Sequence, residues 1–236
     1  MIHNYSPMHQ TTIHFPDLRL SPRDGHKLRG YFSRLFGAES DLWHNHESDG
    51  RPIYRYPLIQ YKVVDRQPML IGVGAGAQLL VEHFLEVREL EIDGLRLPVH
   101  SKQVKSKKVE VGVNGNLHRY RFANPWFAFN QHNYQEYQDK PVQERQPFLE
   151  RLLTGHILAF YKGVEHWEEE KILVNLLEVH PLMAKFKNQP MLMFRGQFVT
   201  NARLPEYIGL GKSVSRGFGT LCPAGANLSG FPGKER

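Results

Sequence analysis

Residues 53–73, IYRYPLIQYKVVDRQPMLIGV, are the stretch of this 236-residue chain from which its fold can be predicted. Residues 53–64 are rich in aromatic and β-branched side chains, which favours an extended strand. Residues 65–67 have the polar composition of a turn, and residues 69–73 form a second apolar run. A strand, a short turn and a returning strand make a β-hairpin, which we predict for this stretch.

A helix is predicted on each side of the hairpin, at residues 26–36 and at residues 77–87. In the first, apolar side chains recur at the i, i+3, i+4, i+7 and i+8 positions of one helical face. That face carries Leu28, Tyr31, Phe32, Leu35 and Phe36, and the opposite face carries Lys27, Gly30 and Arg34. With a first strand at residues 11–20 and short strands within residues 90–113, the order is β-α-β-β-α-β, which is ferredoxin-like.

The second half of the chain repeats part of this order. Residues 120–129 predict a strand, residues 148–161 an amphipathic helix, and residues 171–179 and 191–199 two strands joined by a basic turn. The tetrapeptide QPML, found at positions 67–70, recurs at positions 189–192 at the start of the second strand of a hairpin. The shared context favours a tandem duplication over coincidence.

We therefore predict an α+β chain of two tandem ferredoxin-like (RRM-like) domains, residues 1–115 and residues 116–236. A glycine-rich loop, residues 209–219, stands where the second domain would have its second helix.

Composition limits the classes of protein to which the chain can belong. Cys222 is the single cysteine, which excludes an intramolecular disulfide and a cysteine-rich zinc site. The nearly apolar run at residues 69–81 is too short to span a bilayer, and residues 1–10 are too polar for a signal segment. We therefore expect a cytoplasmic protein without a membrane partner.

The formal net charge is +6, and the excess is concentrated in two segments. Residues 100–121 hold six Lys and Arg side chains against Glu110 alone, and residues 183–221 hold six against Glu206 alone. Concentrated positive charge favours a polyanionic partner, nucleic acid above all. A solvated basic face that binds nothing is the alternative reading of the same charges.

The glycine-rich loop has the composition of a phosphate-binding segment. It is not a P-loop, because position 206 is Glu where that pattern needs Gly, and Val214 breaks the dinucleotide fingerprint. Its glycines can expose backbone N–H groups, while its cations and hydroxyls can contact phosphate oxygens. A flexible surface loop is the alternative. The candidate RNA-binding residues of this loop are Gly209, Gly211, Lys212, Ser213, Ser215, Arg216 and Gly217.

This loop, following a strand near the C-terminus, resembles the signature of the RAMP superfamily of CRISPR-associated proteins. Residues 27–32 (KLRGYF), residues 44–46 (HNH) and residues 54–62 (YRYPLIQYK) are similar to the subtype I-B branch of repeat-RNA-processing endoribonucleases. The resemblance covers residues 10–222. It implies two ferredoxin-like domains and cleavage of precursor CRISPR RNA without a metal ion or another cofactor.

The resemblance also implies roles for single residues. It places the catalytic histidines of this branch at His44 and His46, and a tyrosine that positions the scissile phosphate at Tyr54, with Tyr56 as its neighbour. The branch tends to use a lysine of the first helix near that phosphate. No lysine lies at residues 30–37, so Lys27 and Arg34 are the nearest substitutes.

The histidine pair suits RNA cleavage on chemical grounds as well. The 2′-OH beside each phosphate is the nucleophile, and a pKa of about 6.5 lets one imidazole act as base and another as acid near neutral pH. Two residues apart on an extended backbone, the rings of His44 and His46 lie on one face. A metal site with Asp41, Glu47 or Asp49 and an ordinary polar loop are the alternatives.

We therefore predict an endoribonuclease that cuts the CRISPR repeat by 2′-OH attack and leaves a 2′,3′-cyclic phosphate on the upstream fragment. Its expected partners are precursor and mature guide RNA, other subunits of a type I effector complex and a second copy in a homodimer. Basic residues of the segment 100–121 are expected to contact the repeat: Lys105, Lys107 and Lys108. The alternatives are a non-catalytic RAMP subunit that binds or caps guide RNA and a general RNA-binding protein; neither needs the histidine pair.

Overall fold

The computed structural model describes residues 6–44, 55–186 and 189–225. Its strands are β1 (Ser6–His14), β2 (Ile59–Val64), β3 (Gln67–Val73), β4 (Glu89–Ile92), β5 (Leu95–Pro98), β6 (Gln103–Phe122), β7 (Val174–Phe186), β8 (Gln189–Arg203) and β9 (Leu221–Pro223). Its helices are α1 (Gly25–Phe36), α2 (Ala75–His83), α3 (Gln131–Asp139) and α4 (Val142–Gly163). The predicted α+β class is confirmed. None of these helices is long and apolar enough to cross a membrane.

The long strand β6 joins the two halves of the chain. Its first part pairs with β1 as far as Val111, and its second part pairs with β8 and β9. The antiparallel order is β2-β3-β1-β6-β8-β7, with β9 also on β6. The register of β6 against β8 shifts between Val113 and His118, and the predicted domain boundary at residues 115 and 116 falls within this shift. The two halves therefore share one strand, which is the last strand of the first half and the first strand of the second half along the chain.

The helix α1 packs on the sheet of the first half much as its pattern predicts. Leu28, Phe32 and Phe36 are buried together with Trp43 and Tyr61 in one aromatic core. Leu35, which the pattern also placed inward, is exposed.

The helix α4 has the same role in the second half. Its buried side chains are Phe148, Leu149, Leu153, Ile157, Phe160 and Tyr161, and they pack against aromatic residues of β6 and β8. The helix begins at Val142, six positions before the predicted start.

Several predicted elements differ from those of the structure. The first strand lies at Ser6–His14 and not at residues 11–20, because the chain makes a turn at Pro16 and Asp17 and leaves the strand conformation. The predicted strand at residues 120–129 ends at Phe122, and Trp126 keeps a single bridge to Phe194. Trp126, Phe127 and Phe129 are buried, so they do not form a base-stacking surface.

The two hairpins begin alike. Both copies of QPML start the second strand of a hairpin, since β3 begins at Gln67 and β8 begins at Gln189. The strands around the second copy extend through Phe186, so most of the predicted basic turn is β-strand.

Polar side chains of β2 lie buried between the two halves. Ile59, Tyr61 and Val63 face the helices, while Gln60 and Lys62 face the glycine-rich loop and are 0% exposed. The Nζ atom of Lys62 donates to Thr220 Oγ1 at 3.1 Å. Burial lowers the pKa of Lys62 to about 7, because a buried ammonium loses its hydration.

This burial makes a prediction about stability. Lys62→Met keeps the length of the side chain and removes the buried charge, so at pH 7 it should raise Tm by at least about 2–4 °C, the shift that ~1 kcal/mol produces in a chain of this size. Between pH 7 and about 10.4, the unfolded wild type binds more protons at Lys62 than the folded protein, so wild-type stability rises with pH. The difference in Tm between Lys62→Met and the wild type should therefore narrow toward pH 10. Thermal melts of both proteins test this, and a gap independent of pH would contradict it.

Candidate active site

A cleft of about 1190 Å³ lies between α1 and the second half of the chain. One wall is formed by α1, the turn before it and His44, and the other by the β7–β8 hairpin and by residues 216–218 of the glycine-rich loop. The described residues that line the cleft include no Asp or Glu, whereas its cations are Arg23, Arg29, Lys185, Arg195 and Arg216. The cleft therefore suits a polyanion.

The helix α1 turns one side to this cleft and the adjacent side to the core. His26, Arg29, Gly30 and Ser33 line the cleft at the i, i+3, i+4 and i+7 positions. Gly30 leaves open space on the cleft side of α1, because a Cβ atom built there would meet nothing closer than Arg34 Nη1 at 3.9 Å. A ligand backbone can thus approach the helix closely at this point.

Two arginines from different halves of the chain come together here. Arg29 and Arg216 are both half-buried, and the pKa of Arg29 is lowered by its burial and by the charge of Arg216. Burial also lowers the pKa of Arg216. Two partly desolvated guanidinium groups with like charge are stabilised by an anion between them, and their planar donors match phosphate oxygens.

His44 stands at the end of the short 3₁₀ turn Asp41–Trp43. Its carbonyl accepts a hydrogen bond from Arg29 Nη2, and its ring Nε2 lies 3.2 Å from the carbonyl oxygen of Gly37. The preceding Trp43 is buried, and its carbonyl accepts from Tyr61 Oη at 2.8 Å. The core thus anchors the backbone that presents His44 to the cleft.

The other predicted catalytic residues, His46 and Tyr54, lie outside the described residues, as do Glu47 and Asp49 of the metal alternative. Asp41 pairs with Arg55 at 2.8 Å. Within residues 6–44, 55–186 and 189–225, no group of three or more His, Cys, Asp and Glu side chains could hold a metal ion.

Tyr56, the neighbour considered for the role of Tyr54, is part of the scaffold. Its hydroxyl donates to the carbonyl oxygen of Gly209 at 2.8 Å and accepts from Gln60 Nε2 at 2.8 Å. Burial raises the pKa of this hydroxyl far above its usual range. Tyr56 therefore connects β2 to the glycine-rich loop.

The glycine-rich loop is packed into the fold and not loosely exposed. Several of its backbone N–H groups donate to protein acceptors: those of Gly209, Leu210, Lys212, Arg216, Gly217 and Gly219. The expectation that the glycines expose their N–H groups is therefore wrong at Gly209 and Gly217. Gly211 is needed for close packing, since it has φ +100° and a Cβ there would lie 2.6 Å from the carbonyl oxygen of Phe127.

Among the predicted loop residues, Arg216 and Gly217 line the cleft, and Gly209, Gly211, Lys212, Ser213 and Ser215 do not. Lys212 is exposed and lies near His156, whose pKa is lowered to about 4 by burial first and by the charge of Lys212 second. His156 accepts a hydrogen bond from Trp126 Nε1 at 3.2 Å, which fits a structural role.

The remaining predicted contacts lie outside the cleft. Lys27 pairs with Asp24 at 2.7 Å and Asp93 at 2.5 Å, and these hydrogen bonds raise its pKa. Arg34 lies 3.4 Å from Glu91. Lys105 and Lys107 line a separate pocket of about 230 Å³, and Lys107 lies 3.8 Å from Glu206; Lys108 is exposed on β6.

Sequence reasoning missed Arg29, the cation of α1 that lines the cleft where Lys27 and Arg34 do not. The helical period alone did not reveal it: residues 26, 29, 30 and 33 lie beside the face that buries Leu28, Phe32 and Phe36, whereas Lys27 and Arg34 lie opposite that face. Arg195 and Lys185 were counted only as part of a basic segment, because nothing local in the sequence points them at α1.

Models of one protein family match both halves of the chain. A model of the Cas6b N-terminal domain matches residues 7–110, and one of the Cas6b C-terminal domain matches residues 112–224. The chain belongs to the Cas6b family. The two domain models meet within β6, the strand that both halves share.

Two solved structures and one curated protein illustrate the likeness. A crystal structure of Cas6b is 35% identical with a TM-score of 0.88, and one of a CRISPR RNA processing endoribonuclease Cas6b is 33% identical with a TM-score of 0.75. Each likeness covers 93% of this chain and 100% of the other. An uncharacterized protein of Methanocaldococcus jannaschii is 36% identical over 140 residues, which are 59% of this chain and 95% of that protein.

The position of the arginines makes a prediction about RNA binding. Arg29→Ala and Arg216→Ala should each weaken binding of repeat RNA and lower the slope of log Kd against log salt by roughly 0.7, the value for one phosphate contact on single-stranded RNA. Lys27→Ala and Arg34→Ala are matched controls from the same helix, since both cations already pair with carboxylates outside the cleft. Filter binding across salt concentrations tests this. Equal losses in the controls would place the phosphate contacts elsewhere.

Proposed function

We propose that this Cas6b-family protein is an endoribonuclease that cleaves precursor CRISPR RNA within the repeat by a metal-independent acid–base mechanism. The observation that carries the proposal is the meeting of His44, Arg29 and Arg216 in one cleft whose described lining residues include no Asp or Glu. The likeness to the crystal structure of a CRISPR RNA processing endoribonuclease Cas6b, 33% identical and covering 93% of this chain, supports the same activity.

The proposed reaction is an internal transfer at phosphorus. A neutral imidazole takes the proton of the 2′-OH, and the 2′-oxygen attacks the adjacent phosphorus. The bond from phosphorus to the 5′-oxygen breaks, and an imidazolium gives its proton to that leaving oxygen. The products are a 2′,3′-cyclic phosphate on the upstream fragment and a 5′-hydroxyl on the downstream fragment. We assign the two proton transfers to His44 and His46.

The arginines supply what the histidines cannot. Charge on the phosphoryl oxygens increases as the pentacoordinate phosphorane forms, and preorganised cations stabilise that charge more than the charge of the substrate. Arg29 donates a hydrogen bond to the His44 carbonyl, so this contact holds the cation next to the acid–base residue. Arg216 reaches the same cleft from the second half of the chain. Tyr54 stays a proposed contact to the scissile phosphate, and guide RNA, effector subunits and a homodimer stay proposed partners.

The origin of the nucleophile can be tested with the RNA. The protein should cut its cognate repeat in the presence of EDTA, and a single 2′-deoxy substitution at the cut site should abolish cutting without weakening binding, because only the nucleophile is lost. Gel analysis of end-labelled RNA with and without phosphatase treatment identifies the cyclic phosphate. Cleavage of the deoxy substrate, or a strict requirement for added metal, would refute the mechanism.

The role of His44 can be tested with the protein. His44→Ala should slow single-turnover cleavage by roughly 10²–10⁴-fold, the usual contribution of an acid–base group, and should leave the Kd for RNA nearly unchanged. His100→Ala is a matched control, since His100 is exposed and does not line the cleft. If His44→Ala instead weakened binding in step with the rate, His44 would be an RNA contact and not an acid–base group.

A further inference from the structure

The buried lysine of β2 lies directly beneath the cleft wall that carries Arg216. Lys62 Nζ donates to Thr220 Oγ1 at 3.1 Å, and that hydroxyl donates to the carbonyl oxygen of Gly217 at 2.9 Å. Lys62 and Thr220 are both 0% exposed. A chain of two buried hydrogen bonds thus leads from β2 to a residue that lines the cleft.

Gly217 directly follows Arg216 in the chain and lines the cleft beside it. It ends the short 3₁₀ turn Val214–Arg216, which packs against both β2 and α1. Its φ is +95°, and a Cβ atom built on it would lie 3.3 Å from the carbonyl oxygen of Tyr61. The turn therefore packs on β2, and a fixed Gly217 carbonyl fixes the peptide plane between Gly217 and Phe218, at the end of the turn that carries Arg216.

The complete burial of Lys62 is unusual, since lysine side chains are almost never fully buried unless they are paired. A buried ammonium costs free energy unless it is paired, and among the described residues Lys62 has a hydroxyl partner and no carboxylate. Cys222 is the titratable group that acts on it electrostatically, and burial raises the pKa of that thiol to about 11. The burial of Lys62 thus opposes folding, while its hydrogen bond to Thr220 connects it to Gly217 in the cleft wall.

We propose that Lys62 is a positioning residue for the cleft: through Thr220 it holds the Gly217 carbonyl and so directs the Arg216 guanidinium at a bound phosphate. The link to phosphate rests on the proposed RNA-processing function. The hold on the loop itself does not depend on that function, so the two can be tested separately.

The hold on the loop is tested by hydrogen exchange in the free protein. In Lys62→Met and Thr220→Val, the amides of Arg216 and Gly217 should exchange roughly 10-fold faster than in the wild type, the effect of losing one buried hydrogen bond of ordinary strength. Thr220→Ser keeps the hydroxyl and should exchange like the wild type. Unchanged exchange in Lys62→Met, or a lower Tm with faster exchange throughout the chain, would overturn the proposal.

The effect on Arg216 is tested by a double-mutant cycle on RNA affinity. Lys62→Met should weaken binding of repeat RNA roughly 10-fold at unreduced Tm, and the double variant with Arg216→Ala should bind no more weakly than Arg216→Ala alone. Combined with Lys185→Ala, a cleft cation of the β7–β8 hairpin outside the glycine-rich loop, the losses should multiply. Losses that multiply with Arg216→Ala, or wild-type affinity of Lys62→Met, would overturn the positioning role.

The outcomes separate this inference from the proposed function. A wild-type protein that binds repeat RNA without cutting it refutes the endoribonuclease, while the cycle still decides the role of Lys62. If the wild type binds no RNA at all, the positioning of a phosphate ligand is refuted as well, whatever hydrogen exchange shows of the hold on the loop.

Discussion

The arrangement of the cleft depends on the buried polar face of β2. Gln60 Oε1 accepts from the Gly209 N–H at 2.9 Å, Lys62 bonds to Thr220, and Tyr56 donates to the Gly209 carbonyl. Buried polar groups must find partners, because an unpaired one loses its bonds to water without compensation. The glycine-rich loop therefore has few ways to lie on β2, and the observed one brings its Arg216 end against α1.

The shared strand β6 imposes the second constraint. It is an edge of the first sheet and a central strand of the second, so the two halves cannot separate without breaking backbone pairing. The β7–β8 hairpin extends this second sheet and reaches the far wall of the cleft at Lys185 and Arg195. A site made from both halves can keep its geometry when its walls are joined by one continuous strand.

The cations of the protein divide into two groups with different environments. On the surface, Lys27, Arg34 and Lys107 lie near carboxylates, and exposed pairs of this kind contribute little to stability. Arg29 and Arg216 lie on the two walls of the cleft, and no described residue that lines it is acidic. The total charge of +6 therefore says less about RNA binding than the lack of Asp and Glu among the described residues that line the cleft.

The sequence alone determined the class of fold, the approximate position of α1 and α4, and both hairpins, because periodic apolar side chains and turn residues are local signals. It did not predict α3, whose residues Gln131–Asp139 contain no buried side chain and hence no apolar period. The tertiary structure alone decided that Arg29, and not Lys27 or Arg34, enters the cleft, and that the loop glycines serve close packing. The physical reason is that burial of one helix face determines what the other face presents, and hydrogen-bond partners distant in the sequence are set only when the two halves pack.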